Sequence, residues 1–158
     1  MNQPKNSRKN AEAETETSKT TSVDNPFSTI LKTGEAPKLG SKSQGTVLYE
    51  IAQNSEDNQL YFRIAGQSGG AGLHSKHWVP LNELFQLIES QGDNPWKSQV
   101  YKSLYPSGSA NNQGFCASIV RDLGLAQKSK SSIYLHVLGD EYQKLKAELL
   151  ALADKKTK

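Results

Sequence analysis

Apolar positions are sparse at the start of the chain and then recur in two rhythms. From Met1 to about Ser43 the residues are mostly Lys, Asn, Ser, Thr, Glu and Ala, with almost no aromatic side chains. Such a segment cannot bury enough apolar surface to offset its ordering entropy, which predicts a disordered tail over residues 1–43. One apolar island interrupts it, from Asn25 to Leu31. An island of this kind docks on a partner or on the protein's own core, or is ordinary tail.

From Gly45 the pattern alternates. Val47, Tyr49 and Ile51 share one face of the run Thr46–Ala52. Leu60, Phe62 and Ile64 share one face of Gln59–Ala65. Both runs are rich in β-formers, and a turn-rich connector separates them, so together they predict an antiparallel hairpin.

The period then changes to that of a helix. After Pro80, suited to a first helical position, Leu81, Leu84, Phe85 and Ile88 fall on one helical face. A second helix is expected to open on Pro95 with Asn94 as its cap. Trp96, Val100 and Leu104 would line its face, and Pro106 would end it. A third helix carries Phe115, Cys116, Ile119, Val120 and Leu123 on one side, and Gly124 is placed for a left-handed cap. Ser132–Leu138 alternates as a strand. A last helix follows Gly139 and Asp140, with Tyr142, Leu145, Leu149 and Leu152 along a narrow seam.

With 158 residues, the chain has room for one modest domain. The fold class expected is α+β: an N-terminal β-hairpin followed by a helical part, in a single domain over residues 44–158. The formal net charge of +3 excludes a histone-like cation but allows a local basic patch. Cys116 is the sole cysteine, so no intrachain disulfide can form, and a lone thiol fits a reducing compartment. The first residues contain no apolar core of a secretory signal, and no apolar run is long enough to span a bilayer. A cytoplasmic protein without a membrane partner is the expectation.

Residues 65–81 raise the question of a site. Gly66, Gly69, Gly70 and Gly72 are followed closely by His74, His77 and Trp78. A dinucleotide loop needs Gly-x-Gly-x-x-Gly, but Gly70 and Gly72 are followed by Ser75 where the third glycine belongs. A phosphate loop needs Gly-Lys-Ser/Thr, but Lys76 stands between Ser75 and His77. His74, His77, His136 and Cys116 do not make the two local ligand pairs of a structural zinc site. Serines occur in no Gly-x-Ser-x-Gly elbow, and Cys116 lies on an apolar helical face. No cofactor, metal or catalytic residue is therefore expected, and the chain reads as a non-enzyme. The glycines read as a bend.

Gly114–Leu145 has a more informative order: a helix ending in Leu-Gly-Leu-Ala, a polar basic loop, a strand, then Gly-Asp-Glu-Tyr opening another helix. With the polar segment before it, the stretch 107–145 resembles the C-terminal part of winged helix-turn-helix domains. The winged-helix-like part would then cover about residues 80–158. The first wing strand, around Ala126–Lys130, is only weakly marked.

The resemblance implies a small accessory or regulatory DNA-binding protein. The helix start would enter the major groove. Asn111, Asn112 and Gln113 would then face base edges, with Ser107 and Ser109 near phosphates. Arg121 would project from the face opposite the apolar one, and Lys128 and Lys130 would meet phosphate from the wing. The same residues also fit ordinary helix caps and a solvated loop.

The competing reading is a protein–protein adaptor without nucleic-acid binding. The Leu seam of the last helix either packs on the domain's own sheet or forms a homodimer interface. In that reading the N-terminal tail would take a protein partner.

Overall fold

The computed structural model describes residues 25–39, 44–69, 73–106 and 111–157, with side chains as far as residue 153. The elements in chain order are β1 (Thr29–Pro37), β2 (Thr46–Gln53), β3 (Leu60–Gln67), β4 (Val79–Pro80) and α1 (Leu81–Glu89). They continue with a 3-10 helix η1 (Ser98–Leu104), α2 (Asn111–Asp122), β5 (Ala126–Lys128), β6 (His136–Leu138) and α3 (Tyr142–Thr157). The architecture is mixed α+β, with an antiparallel sheet in the order β1-β2-β3-β4 and a two-stranded ribbon β5-β6.

The expected hairpin is β2–β3, paired from Val47↔Gln67 to Gln53↔Leu60. Its inward rows are the ones the alternation marks: Val47, Tyr49 and Ile51 on β2, and Leu60, Phe62 and Ile64 on β3, all buried. The connector closes on Asn54. Its side-chain oxygen accepts the Glu56 N–H at 2.7 Å, and Asn58 takes φ of 61°, the left-handed conformation Asn tolerates.

The hairpin is not the whole sheet. Residues 29–37, expected as tail, form β1 and pair along β2 from Thr29↔Gln53 to Pro37↔Thr46. The island docks on the chain itself: Phe27 stacks on Trp78 with ring centroids 4.5 Å apart, and meets Tyr61 edge-on at 5.0 Å. Residues 29–37 are thus part of the folded unit, and Phe27 packs on it. The remainder of the expected tail, residues 1–24, lies outside the described residues.

Behind the sheet, α1 buries Leu81, Leu84, Phe85 and Ile88, as its spacing requires. The second helix differs from expectation. It starts at Ser98 rather than Pro95 and is a 3-10 helix. The reason lies in Trp96, whose backbone is committed elsewhere. Its N–H donates to the His136 carbonyl at 2.9 Å, and the His136 N–H donates back at 2.8 Å, an antiparallel bridge that holds residue 96 extended. The strand expected over Ser132–Leu138 is shorter, only His136–Leu138, and the weakly marked Ala126–Lys128 supplies its partner.

α2 ends in the left-handed cap placed by Gly124, with φ of 78°. The Gly124 N–H reaches the Arg121 carbonyl and the Leu125 N–H reaches Val120, the double bond of a Schellman motif. Gly139 crosses this turn so closely that a Cβ there would collide with the Gly124 carbonyl oxygen. Gly139→Ala is expected to lower stability by about 1–3 kcal/mol through backbone displacement. Thermal melting checks it, and an unchanged melting temperature would refute the close crossing.

α3 folds back onto α1. The Tyr142 hydroxyl donates to Glu89 at 2.6 Å, and Lys146 reaches the same carboxylate oxygen at 2.7 Å. Those two donors, Lys146 first, hold the Glu89 carboxyl below its ordinary range. Leu149 is buried and Leu145 and Leu152 pack on the core, so much of the Leu seam is used internally. Among the described residues, no helix is long and apolar enough to cross a membrane.

Candidate nucleic-acid interface

α2 is central because its sequence is apolar nearly all round over Cys116–Val120, and it packs against both the three long strands and η1. Of its twelve residues only Asp122 is exposed, and the Asp122 carboxylate accepts the Tyr49 hydroxyl at 2.6 Å. Phe115 lies under the Lys38 ammonium, 5.3 Å from the ring centroid.

The start of α2 is strapped by the chain that follows the glycines. Asn112 is buried, and its side-chain oxygen accepts the Ser75 N–H at 2.7 Å. The Asn111 amide donates to the Leu73 carbonyl at 3.1 Å. These two residues, expected to face base edges, join the strap to the helix. Gln113 is half-buried on the first turn. Ser107 and Ser109 lie outside the described residues.

Arg121 is likewise engaged within the fold. Its Nε–H donates to His136 Nδ1 at 2.9 Å, and its Nη2 donates to the Ile133 carbonyl at 2.8 Å. A guanidinium cannot accept a hydrogen bond. His136 Nδ1 is therefore unprotonated, and Nε2–H is the donor to Ser98 Oγ at 3.2 Å. The imidazole is almost wholly buried between Trp96 and Tyr101. Burial first, and the Arg121 charge second, push its pKa down to about 4. Burial also lowers that of Arg121. The clasp joins α2, η1 and the ribbon through one buried neutral ring. His136, Ser98 and Trp96 form it, and the sequence pattern did not single them out together. The only signal was a histidine on the alternating face of a strand.

Lys128 and Lys130 are exposed on the ribbon and its loop. Among the described residues neither contacts a carboxylate. Lys97 and Lys102, flanking and within η1, are also exposed and without such a contact.

The other candidate chemistry separates in space. His74 packs edge-on to Phe115 and His77 edge-on to Tyr105, so the pair diverges to different rings. Cys116 is fully buried, and burial pushes its thiol up to about 12, far from a thiolate at neutral pH. Among the described residues, no three His, Cys, Asp or Glu side chains converge as metal ligands. The glycine stretch answers to backbone geometry where it is described. Gly45 and Gly69 both take positive φ, 96° and 82°, and approach so closely that a Cβ on either would strike the other's segment. Gly70 and Gly72 lie outside the described residues.

Comparison with protein-family models, with curated proteins and with solved structures found no match for this chain.

Proposed function

We propose that this chain is a small, non-enzymatic accessory protein of the cytoplasm that binds DNA through a winged-helix-like part covering about residues 80–158. The observation that carries the reading is the β5–β6 ribbon. It follows α2 directly, is tied to α2 by Arg121 and to the η1 segment by the Trp96 bridge, and exposes Lys128 and Lys130, neither with a carboxylate partner among the described residues. A helix, a bridging strand residue, a second helix, a third helix and a two-stranded ribbon in that order support the resemblance in topology. A ribbon bearing exposed cations suits contact with phosphates, which dominate affinity for DNA.

The experiment is fluorescence anisotropy against labelled duplex, single-stranded DNA and RNA at low and near-physiological salt. Saturable duplex binding that weakens steeply with salt is the expected result. The double variant Lys128→Glu, Lys130→Glu should bind far more weakly and reduce the salt slope by about 0.9 per lysine. Unchanged affinity in that variant would remove the ribbon from the reading, and no binding of wild type at low salt would remove the reading itself.

A second reading, a protein adaptor, draws on Leu150, which is 40% exposed on α3 beside the internal Leu seam. Association through that side chain would be insensitive to salt, which separates the two.

A further inference from the structure

We propose that the cleft between α3, the end of α2 and the strands β1 and β2 binds a small organic monocation, a protonated amine carried on an apolar body. The inference is independent of the DNA-binding reading, because no residue lining the cleft belongs to the ribbon. The cleft measures about 500 Å³, within the roughly 300–1,000 Å³ of sites for small ligands. Leucines form one of its walls. Leu145, Leu149 and Leu152 come from the seam of α3, and Leu123 from the turn after α2. Leu123 and Leu149 are buried, whereas Leu145 and Leu152 are only partly so. Internal packing therefore leaves part of the seam facing the cleft, where an apolar body would remove it from water.

Tertiary contacts build the polar wall. A Cβ at Gly34 would collide with the Tyr49 ring, so the bare glycine of β1 lets that ring lie across the strand. The Tyr49 hydroxyl donates to Asp122 Oδ2 at 2.6 Å. Burial first, and Asp122 second, hold this hydroxyl well above its ordinary range, so it stays a donor. The bond orients the carboxylate and leaves Oδ1 without a hydrogen-bond partner among the described residues. Glu148 brings a second carboxylate to the lining, and its ion pair with Lys144 spans 4.0 Å. Lys32, exposed on β1, is the one cation among the described lining residues. Its stem can line the wall while its ammonium stays in water. Two carboxylates against one ammonium give the lining a net charge of −1, which a monocation neutralises. A carboxylate with one oxygen fixed and the other open suits a charge-assisted hydrogen bond from an ammonium N–H. The leucine wall beside it suits the hydrocarbon.

The test is a titration of the full chain with n-octylamine at pH 7, followed by amide chemical shifts, with n-octanol and n-octanoate as comparison probes. Saturable shifts at Tyr49, Leu123, Leu149 and Leu152 are the expected result, with both comparison probes binding at least about tenfold more weakly. Asp122→Asn keeps an oxygen for the Tyr49 hydroxyl and removes the charge. It should weaken octylamine by about ten- to hundredfold, and a circular dichroism melt shows that its fold is kept. Lys32→Gln, which removes a like charge, should tighten octylamine. The double variant Lys128→Glu, Lys130→Glu should bind octylamine as wild type does, whatever its effect on DNA. Absence of saturable shifts with octylamine would overturn the site. Octanol binding as tightly as octylamine, or unchanged affinity in Asp122→Asn, would overturn the assignment of an amine. Tighter binding of octanoate, or weaker binding of octylamine by Lys32→Gln, would overturn it as well, by making Lys32 the anchor of an anion.

Discussion

Trp96→Ala is expected to lower the unfolding free energy by about 3–5 kcal/mol, one of the two largest effects anticipated for a single change. Three consequences combine. The indole is 3% exposed, and removing it opens a cavity in the core. Its Nε1–H donates to the Tyr101 hydroxyl at 2.9 Å, a buried group that would lose a partner. Its ring also lies 6.2 Å from the His136 ring in a near-parallel arrangement, so the buried imidazole would lose its cover. Urea denaturation measures the effect as a lower midpoint with an unchanged slope. A midpoint close to wild type would mean that the indole is not part of the core.

The second large effect is loss of stability in mild acid through His136. The ring is neutral in the fold, with its pKa near 4, against about 6.5 when exposed. As pH falls below about 6.5 the unfolded chain takes up the proton first. Stability contributed by the neutral ring is therefore complete above that pH and declines down to about 4. Below 4 both states are protonated and this group adds no further change. The decline amounts to roughly 2–3 kcal/mol, taking each pH unit of difference as about 1.4 kcal/mol and allowing for relaxation of the site. His136→Gln is the control, because an amide can accept from Arg121 through its oxygen and donate to Ser98 through its nitrogen without titrating. Chemical denaturation at pH 7, 6, 5 and 4 should show wild type losing stability faster than His136→Gln. Parallel profiles for the two proteins would refute the buried neutral ring. Titrating carboxylates, Glu89 among them, act on both proteins alike and cancel in the difference.

The elements most legible in the sequence are those with one face buried and one solvated. β2 and β3 alternate because each contributes one row to the core, and α1 repeats at helical spacing for the same reason. Gly124 was legible as a cap because the conformation it takes excludes most other residues. β1 was not legible. It is an edge strand whose Lys32, Thr33 and Glu35 are exposed, so its composition matches that of a tail. What orders it is the open edge of β2, together with the packing of Phe27 on Trp78, and neither is a property of residues 29–37 themselves. η1 misled for a related reason. Asn94 and Pro95 carry the local signal of a helix start, but the bridge to His136, forty residues on, holds Trp96 extended.

The candidate site divides along the same line. Lys128 and Lys130 are exposed, as their polar surroundings imply. Asn111, Asn112 and Arg121 have the chemistry of ligand-binding side chains, and the fold uses that chemistry to satisfy its own backbone groups at Leu73, Ser75 and Ile133. An amide or guanidinium has the same donors and acceptors whether its partner is a base edge or a carbonyl, so residue type alone cannot distinguish the two.

By itself, the sequence determined the α+β class, the β2–β3 hairpin with its inward rows, the apolar face of α1 and the cap at Gly124. Each follows from local periodicity or from a backbone conformation that one residue must adopt. Only the tertiary structure decided that residues 29–37 complete the sheet, that Trp96 bridges to His136 and that the start of α2 is covered. Those outcomes depend on which distant backbone edge or buried polar group remains to be satisfied, and that is fixed only when the elements pack together.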